Sequence, residues 1–151
     1  MQDIVQSRTP MHLWIVGVLA TLWNAFGATD YLLTRMRNTD YLAMMMPGVD
    51  PAEFLAYLDG YPIWAQFGWG LGVWTGLLGA VLLLARSRWA VHAFALSLVG
   101  MALSFTYVFT GPPMPGAEAM GAMNYVPLVI VAIGVALLYY AHRQRERGVL
   151  R

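Results

Sequence analysis

The segment that most constrains the fold covers residues 61–85, with the sequence YPIWAQFGWGLGVWTGLLGAVLLLA. It carries no charge and is at least as long as the ~20 apolar residues that cross a bilayer as a helix. Small residues form a stripe along it: Gly68, Gly72, Gly76, Gly79 and Ala80. Each glycine costs roughly 1 kcal/mol against alanine in a helix interior, but in a membrane a small-residue stripe lets another helix approach closely. The segment therefore predicts a span that packs through its glycine face, most closely between residues 72 and 80, because Trp69 interrupts the stripe.

Composition places the whole chain among membrane proteins. Of its 151 residues, 59% are hydrophobic and only 11% are charged, which is typical of neither soluble nor disordered proteins. The absence of cysteine excludes disulfides and thiol catalysis. A formal net charge of +1 without a basic, aromatic-rich stripe excludes a nucleic-acid partner. We predict an all-α polytopic membrane protein that forms a single domain over residues 1–151.

Helix start and stop signals divide the chain into predicted spans at about 13–33, 62–85, 89–110 and 124–141. We expect the first helix to continue beyond the membrane until Met46-Pro47-Gly48 breaks it. Asp50-Pro51-Ala52-Glu53 combines an N-cap, a proline at the first helical position and a glutamate at the third. It predicts a short amphipathic helix over residues 51–58. The predicted fold is thus a four-transmembrane-helix bundle with a short extramembrane helix in the first outer loop.

The arginines predict the orientation. Seven of them fall on one side of a four-span arrangement: Arg8, Arg86, Arg88, Arg143, Arg145, Arg147 and Arg151. Only Arg35 and Arg37 fall on the other side. The positive-inside rule then places both termini in the cytoplasm. For a bacterial source this predicts a multi-pass protein of the inner membrane whose long first loop is periplasmic.

Weakly polar side chains at the outer ends of the spans form a candidate polar pocket: Asn24, Asp30, Tyr31, Gln66, Tyr107 and Asn124. Asp30 is the only acidic residue inside a predicted span, where ionisable residues are costly and commonly functional. We expect it to be an interfacial carboxylate paired with Arg35 or Arg37 rather than a proton relay. The simpler interpretation of the set is interhelical hydrogen bonding, at roughly 0.6 kcal/mol for each bond.

Catalytic and metal-binding residues are not predicted. The three histidines lack metal-site spacing and have no nucleophile beside them. Many methionines lie on the outer side, and thioethers suit Cu(I), but neither His nor Cys on that side completes a site, so flexible apolar contact explains them better. An intramembrane enzyme could be built only from Asp30 and Glu118.

The deeply placed tryptophans are compatible with a bound cofactor. Trp23, Trp69 and Trp74 lie far from the predicted span ends. They either fill the bundle or contact a bound apolar molecule such as a lipid, a quinone or a carotenoid. The sequence requires no such group, and packing is the simpler interpretation.

Three segments carry a resemblance to known proteins. The segments MHLWIVGVLATLWNAFGATDYLLTR and YPIWAQFGWGLGVWTGLLGA, and the terminal RGVLR, resemble a group of small four-span inner-membrane proteins from alphaproteobacteria. Members of that group are often labelled "sugar transporter". The resemblance implies the same fold and membrane, but it implies no site residues, and neither inverted repeats nor broken helices are evident here. Small multidrug exporters also have four spans, but they carry a glutamate halfway along the first helix, where this chain has apolar residues and threonine around Ala20.

Two functional hypotheses follow from these patterns. The first is a non-enzymatic accessory or scaffolding subunit, or a homo-oligomer, that packs through glycine-rich helix faces. Its partners would be membrane lipids and other membrane-protein subunits, or further copies of the chain. The second is a small-solute transporter or an apolar-ligand-binding bundle whose polar pocket opens to the periplasmic side.

Overall fold

The computed structural model describes residues 9–151, and these residues form helices and connections without a β-strand. Four helices are long and apolar enough to cross a membrane: α1 (Met11–Arg35), α4 (Ile63–Leu84), α5 (Ala90–Thr110) and α7 (Val126–Glu146). The connections contain shorter helices: α2 (Thr39–Met45), α3 (Pro51–Asp59), α6 (Ala117–Met120) and the 3-10 turn Gly121–Tyr125. The predicted fold class, a four-span helical bundle, is confirmed, and the chain is a multi-pass membrane protein.

The connection after α1 differs from the predicted continuous helix. The chain turns at Arg37, which adopts a left-handed backbone with φ of 57°. Asn38 then caps a separate helix, because its side chain accepts a 2.9 Å hydrogen bond from the backbone N–H of Tyr41. The predicted cap of α3 is present: the Asp50 carboxylate accepts a 2.8 Å hydrogen bond from the N–H of Ala52. The first loop is therefore two short capped helices rather than an extension of α1.

The ends of the last span also differ from the predicted 124–141. The 3-10 turn Gly121–Tyr125 leads directly into α7, which begins at Val126 with a proline in its first turn. The helix then continues through the polar residues after the apolar segment and ends at Glu146. Arginine is a good helix former, so these residues extend the helix by about one turn beyond the apolar segment.

The four spans pack in the order α1, α4, α5, α7. The most extensive contact joins α4 to α5, while α1 packs against α4 and α7 packs against α5. Helices α1 and α7 are thus the two ends of the row. We call the end of the bundle with α2, α3 and α6 the loop face, and the end with the α4–α5 turn and residues 147–151 the terminal face.

The bundle is closed at its terminal face. Buried side chains from all four spans meet there in one core: Leu13, Ala20, Ala80, Leu83, Ala90, Phe94, Ala141, Val149 and Leu150. His12 Nδ1 and the Tyr140 hydroxyl, 2.6 Å apart, link α1 to α7. The backbone of Arg151 donates to the Arg86 carbonyl and accepts from the Arg88 N–H, each at 2.8 Å. At the terminal face, these contacts thus join α1 to α7 and the last residues of the chain to the α4–α5 turn.

Candidate functional site

A cavity of about 580 Å³ lies at the loop face between the four spans. Its size falls within the range of roughly 300–1,000 Å³ that is typical of small-molecule sites. Helices α1 and α7 supply facing walls, since Phe26 and Gly27 on α1 and Val126 and Ile130 on α7 all line it. A molecule in the cavity would therefore contact both ends of the helix row.

The walls are mainly apolar and rich in aromatic rings. These rings come from α1, α3, α4 and α5: Trp23, Phe26, Phe54, Trp69 and Phe105. Aromatic rings bury large apolar areas and offer their faces to cations or to flat ligands. Trp74 does not line the cavity, but its ring lies 6.3 Å from that of Tyr31. Two of the three deep tryptophans of the sequence are therefore wall residues.

The segment between α2 and α3 covers the cavity. It contributes Met45, Met46, Pro47, Gly48 and Val49 to the lining. Gly48 has a φ of 90°, which glycine adopts without strain, so the cover turns sharply at this position. The thioether side chains are flexible and apolar, so they can adjust to ligands of different shape. We call residues 45–49 the cover.

Four polar side chains line the cavity: Asn24, Asp30, Thr34 and Ser104. Asn24 donates to the Ala20 carbonyl at 2.8 Å, which leaves its Oδ1 directed toward Gly76. The Tyr41 hydroxyl donates a 2.7 Å hydrogen bond to Asp30 Oδ1. Burial of that hydroxyl and the adjacent carboxylate raise the pKa of Tyr41 to about 12, so the hydroxyl keeps its proton well into the alkaline range. Such a site has few polar groups, placed to orient a mostly apolar molecule.

The six residues of the predicted polar pocket do not form one group. Asn24 and Asp30 line the cavity, whereas the other four lie outside its lining. Tyr31 packs edge to face on Trp69, with ring centroids 4.8 Å apart. Tyr107 donates to the Gly60 carbonyl at 3.0 Å, so it fastens the end of α3 to α5.

Gln66 and Asn124 serve as local connectors. Gln66 accepts from Arg35 at 3.0 Å and donates to the Tyr61 carbonyl at 2.9 Å. Asn124 donates to the Ala117 carbonyl at 2.8 Å. Their side chains satisfy nearby backbone and side-chain groups instead of pointing into the bundle. Of the predicted pocket, Asn24 and Asp30 line the cavity, where Thr34 and Ser104 join them.

The expected pairing of Asp30 with an arginine is wrong. Arg37 binds Asp59 through two hydrogen bonds of 2.9 and 3.0 Å. This bidentate contact lowers the pKa of Asp59 and raises that of Arg37. The left-handed turn at Arg37 directs it toward the end of α3, and Arg35 is held by Gln66. Tyr41, on the separate helix α2, is the partner of Asp30.

The glycine stripe of α4 faces α5 of the same chain. A Cβ at Gly72 would lie 3.2 Å from the backbone N of Met101, and one at Gly79 would lie 2.8 Å from the Phe94 ring. A Cβ at Gly76 would lie 2.5 Å from Asn24 Oδ1 and 3.0 Å from Ser97 Oγ, between α1 and α5. Ala80 is fully buried in the core of the terminal face. The stripe is thus covered within the monomer.

Close packing also extends further toward the loop face than the predicted 72–80. A Cβ at Gly68 would lie 2.6 Å from Leu103 Cβ and 2.9 Å from the Gly100 carbonyl oxygen. A Cβ at Gly100 would overlap the backbone of Gly72 itself. Trp69 does not interrupt this contact, because its side chain points into the cavity wall. The closest approach of α4 and α5 therefore forms the floor of the cavity.

Several site residues were not identified from the sequence. Ser97 donates a 2.7 Å hydrogen bond to the Gly72 carbonyl, and Ser104 lines the cavity one turn beyond Gly100. Ser97, Gly100 and Ser104 recur every three or four residues, a spacing that places them on one helix face and could have indicated them. Tyr41 and the cover lie in the first loop, where helical periodicity gives no information about tertiary contacts.

The described residues contain no group of three or more His, Asp or Glu side chains that could hold a metal ion. Glu118 is exposed in α6 and does not line the cavity, so it does not join Asp30 in a carboxylate pair. Asp30 is thus the single carboxylate of the cavity lining in the part of the chain that the structure describes.

These features define a class: a helical membrane protein with four spans, closed at one face and enclosing a largely apolar cavity at the other. Comparison of the chain with protein-family models, with curated proteins and with solved structures gave no match. Membership of the small four-span alphaproteobacterial group therefore remains a proposal. The inner-membrane location that it implies is a proposal as well.

Proposed function

We propose that this protein is a non-enzymatic, membrane-embedded binding protein for an amphipathic small molecule, which it holds in the loop-face cavity. The observation that supports this proposal is the cavity itself, about 580 Å³ in volume, whose lining in the described residues has aromatic and aliphatic walls and four polar side chains. A lipid, a quinone or a carotenoid end group has the required apolar character. The cavity is the natural ligand-binding or transport site of such a bundle.

The scaffolding hypothesis has less support than the binding hypothesis. It relied on a glycine stripe that was available to a second chain, but α5 covers Gly68, Gly72 and Gly79 inside the monomer. Apolar side chains remain on the outer surfaces of all four spans, as any lipid-facing helix requires. Those surfaces do not distinguish a protein partner from lipid.

If the arginine distribution sets the orientation, the termini are cytoplasmic and the loop face is periplasmic. The cavity then lies in the outer half of an inner membrane. We propose that it takes its ligand from the outer leaflet or from the periplasmic surface, and releases it there or to a partner.

The test uses protein extracted from native membranes directly into lipid nanodiscs, followed by mass spectrometry of the small molecules it retains. Gly27 lines the cavity, and a Cβ there would meet no atom within 4 Å, so Gly27→Phe adds bulk to the cavity without a clash at its Cβ. The matched control is Ala132→Phe, at an exposed position of α7 outside the cavity lining.

We expect wild type and Ala132→Phe to retain the same molecule, enriched over the nanodisc lipid, and Gly27→Phe to lose it. A wild-type protein that retains nothing beyond bulk lipid contradicts the proposal. So does a Gly27→Phe variant that retains the molecule as well as wild type does.

A further inference from the structure

The Asp30 carboxylate is the one ionisable group among the described residues that line the cavity. Its Oδ1 accepts from Tyr41, and Oδ2 accepts from no donor in residues 9–151. A carboxylate in apolar surroundings is costly unless it is paired with a counter-charge. The protein therefore supplies a hydrogen-bond donor to Oδ1, whereas Oδ2 is left to interact with a molecule in the cavity.

No cation of the described chain compensates this charge. The two arginines nearest in sequence are engaged elsewhere: Arg35, the last residue of α1, by Gln66, and Arg37, two residues later, by Asp59. The first turn of α7 also borders the cavity, but Pro127 lacks an N–H there and the preceding 3-10 turn runs straight into the helix. Pro127 therefore removes one of the free N–H groups that contribute to the positive potential of a helix start.

Like the Asp30 carboxylate, the aromatic walls attract a positively charged ligand. Trp23 and Phe26 are on the same helix as Asp30, and Trp69 lies on α4 across the cavity. Aromatic faces attract cations, most strongly when the cation is removed from water. A carboxylate within an aromatic cavity thus favours a positively charged ligand over a neutral one, and strongly disfavours an anion.

From this juxtaposition we infer the ligand class: the loop-face cavity binds a lipophilic cation, an amine or quaternary onium group carried on a large apolar body. The cationic centre contacts Asp30 Oδ2, and the apolar body fills the space between the aromatic walls and the methionines of the cover. This inference rests on the proposed function, because it specifies the ligand of the same cavity.

The test measures binding of tetraphenylphosphonium and of its neutral relative triphenylphosphine oxide to the purified protein in nanodiscs. Equilibrium dialysis against empty nanodiscs of the same lipid corrects for partitioning. Asp30→Asn keeps the acceptor for Tyr41 but removes the charge. The matched control Asp40→Asn removes one negative charge from an exposed position outside the cavity lining. Thermal unfolding verifies that both variants are folded.

We expect wild type to bind the cation more tightly than the neutral probe. Asp30→Asn should weaken binding of the cation by about tenfold or more, equivalent to at least about 1.4 kcal/mol. It should leave binding of the neutral probe unchanged, and Asp40→Asn should bind both probes as wild type does. Equal affinity for the two probes, or equal cation binding by wild type and Asp30→Asn, overturns the cation inference. If the cation inference fails in this way but wild type binds the neutral probe and Gly27→Phe does not, the proposed binding function still holds. Absence of binding by both probes contradicts the two proposals together.

Discussion

The hydroxyl of Tyr41 in α2 donates a 2.7 Å hydrogen bond to Oδ1 of Asp30 in α1. The two residues are on different helices, separated by the left-handed turn at Arg37. Because α2 leads directly into the cover, this bond fastens the covering connection to the helix that forms one wall of the cavity. The state of the cover and the charge of the site are therefore linked through one hydrogen bond.

Removal of that donor should loosen the cover. Tyr41→Phe keeps the ring but leaves Asp30 Oδ1 unpaired, and we expect a loss of roughly 1–2 kcal/mol in stability, as for a hydrogen bond to a charged group at a partly buried site. Hydrogen exchange of residues 39–49 should become faster. Tyr125→Phe, at an exposed tyrosine, is the control. Unchanged exchange in Tyr41→Phe would show that the bond does not hold the cover.

The same bond predicts a response to alkaline pH. The pKa of Tyr41 is about 12 in the folded protein against an ordinary value of 10.0. Because the folded pKa is raised, the contribution of Tyr41 to stability is fully present below pH 10.0 and is lost as pH rises toward about 12. Spectroscopic titration of tyrosinate, compared between wild type and Tyr41→Phe, should reveal one group titrating near the higher value. A difference spectrum that titrates near 10.0 would contradict the assigned contact.

A pair of glycine substitutions tests the floor of the cavity. Gly100→Ala places a methyl group against the backbone of Gly72, and backbone atoms of two packed helices cannot move aside separately. We expect destabilisation of roughly 1–3 kcal/mol, as for overpacked cores. Gly27→Ala meets open space and should be neutral or stabilising by up to about 1 kcal/mol, since alanine favours the helix. Unfolding in mixed micelles compares the two, and equal stability of both variants would refute the close contact of α4 and α5.

The ion pair on the first loop predicts that the protein loses some stability at acid pH. Arg37 lowers the pKa of Asp59 below its ordinary value of 3.8. The contribution of this pair to stability is thus present above pH 3.8 and is lost as pH falls through the lower, folded value. Both side chains are exposed, so added salt should weaken the effect. Carboxyl NMR titration should show the pKa of Asp59 return toward 3.8 in Arg37→Gln, and an unaltered pKa would exclude the pair in solution.

Helical periodicity and capping signals were enough to predict the architecture. The apolar segments predicted four spans, Asp50-Pro51 predicted the start of α3, and the glycine stripe predicted a close helix contact. The identity of the contacting helix could not be predicted, because a small-residue stripe accepts any complementary surface. Gly100 and Ser97 on α5 provide that surface within the same chain.

The site was predicted less completely, for a physical reason. Asn24 and Asp30 were identified because polar groups in a span are exceptional, but their neighbours depend on how the first loop folds back. The left-handed residue Arg37 turns that path and binds Asp59, while Arg35 binds Gln66, so neither arginine pairs with Asp30. Gln66, Tyr107 and Asn124 satisfy local backbone groups instead, a choice that sequence spacing does not reveal.

An experimental density map of the wild-type protein, determined in nanodiscs of native lipid, tests ligand binding in the loop-face cavity most directly. We expect non-protein density between α1 and α7 at the loop face, against Trp23 and Trp69 and within contact distance of Asp30. A cavity filled by the side chains of the cover, with no bound molecule between the walls, would contradict it.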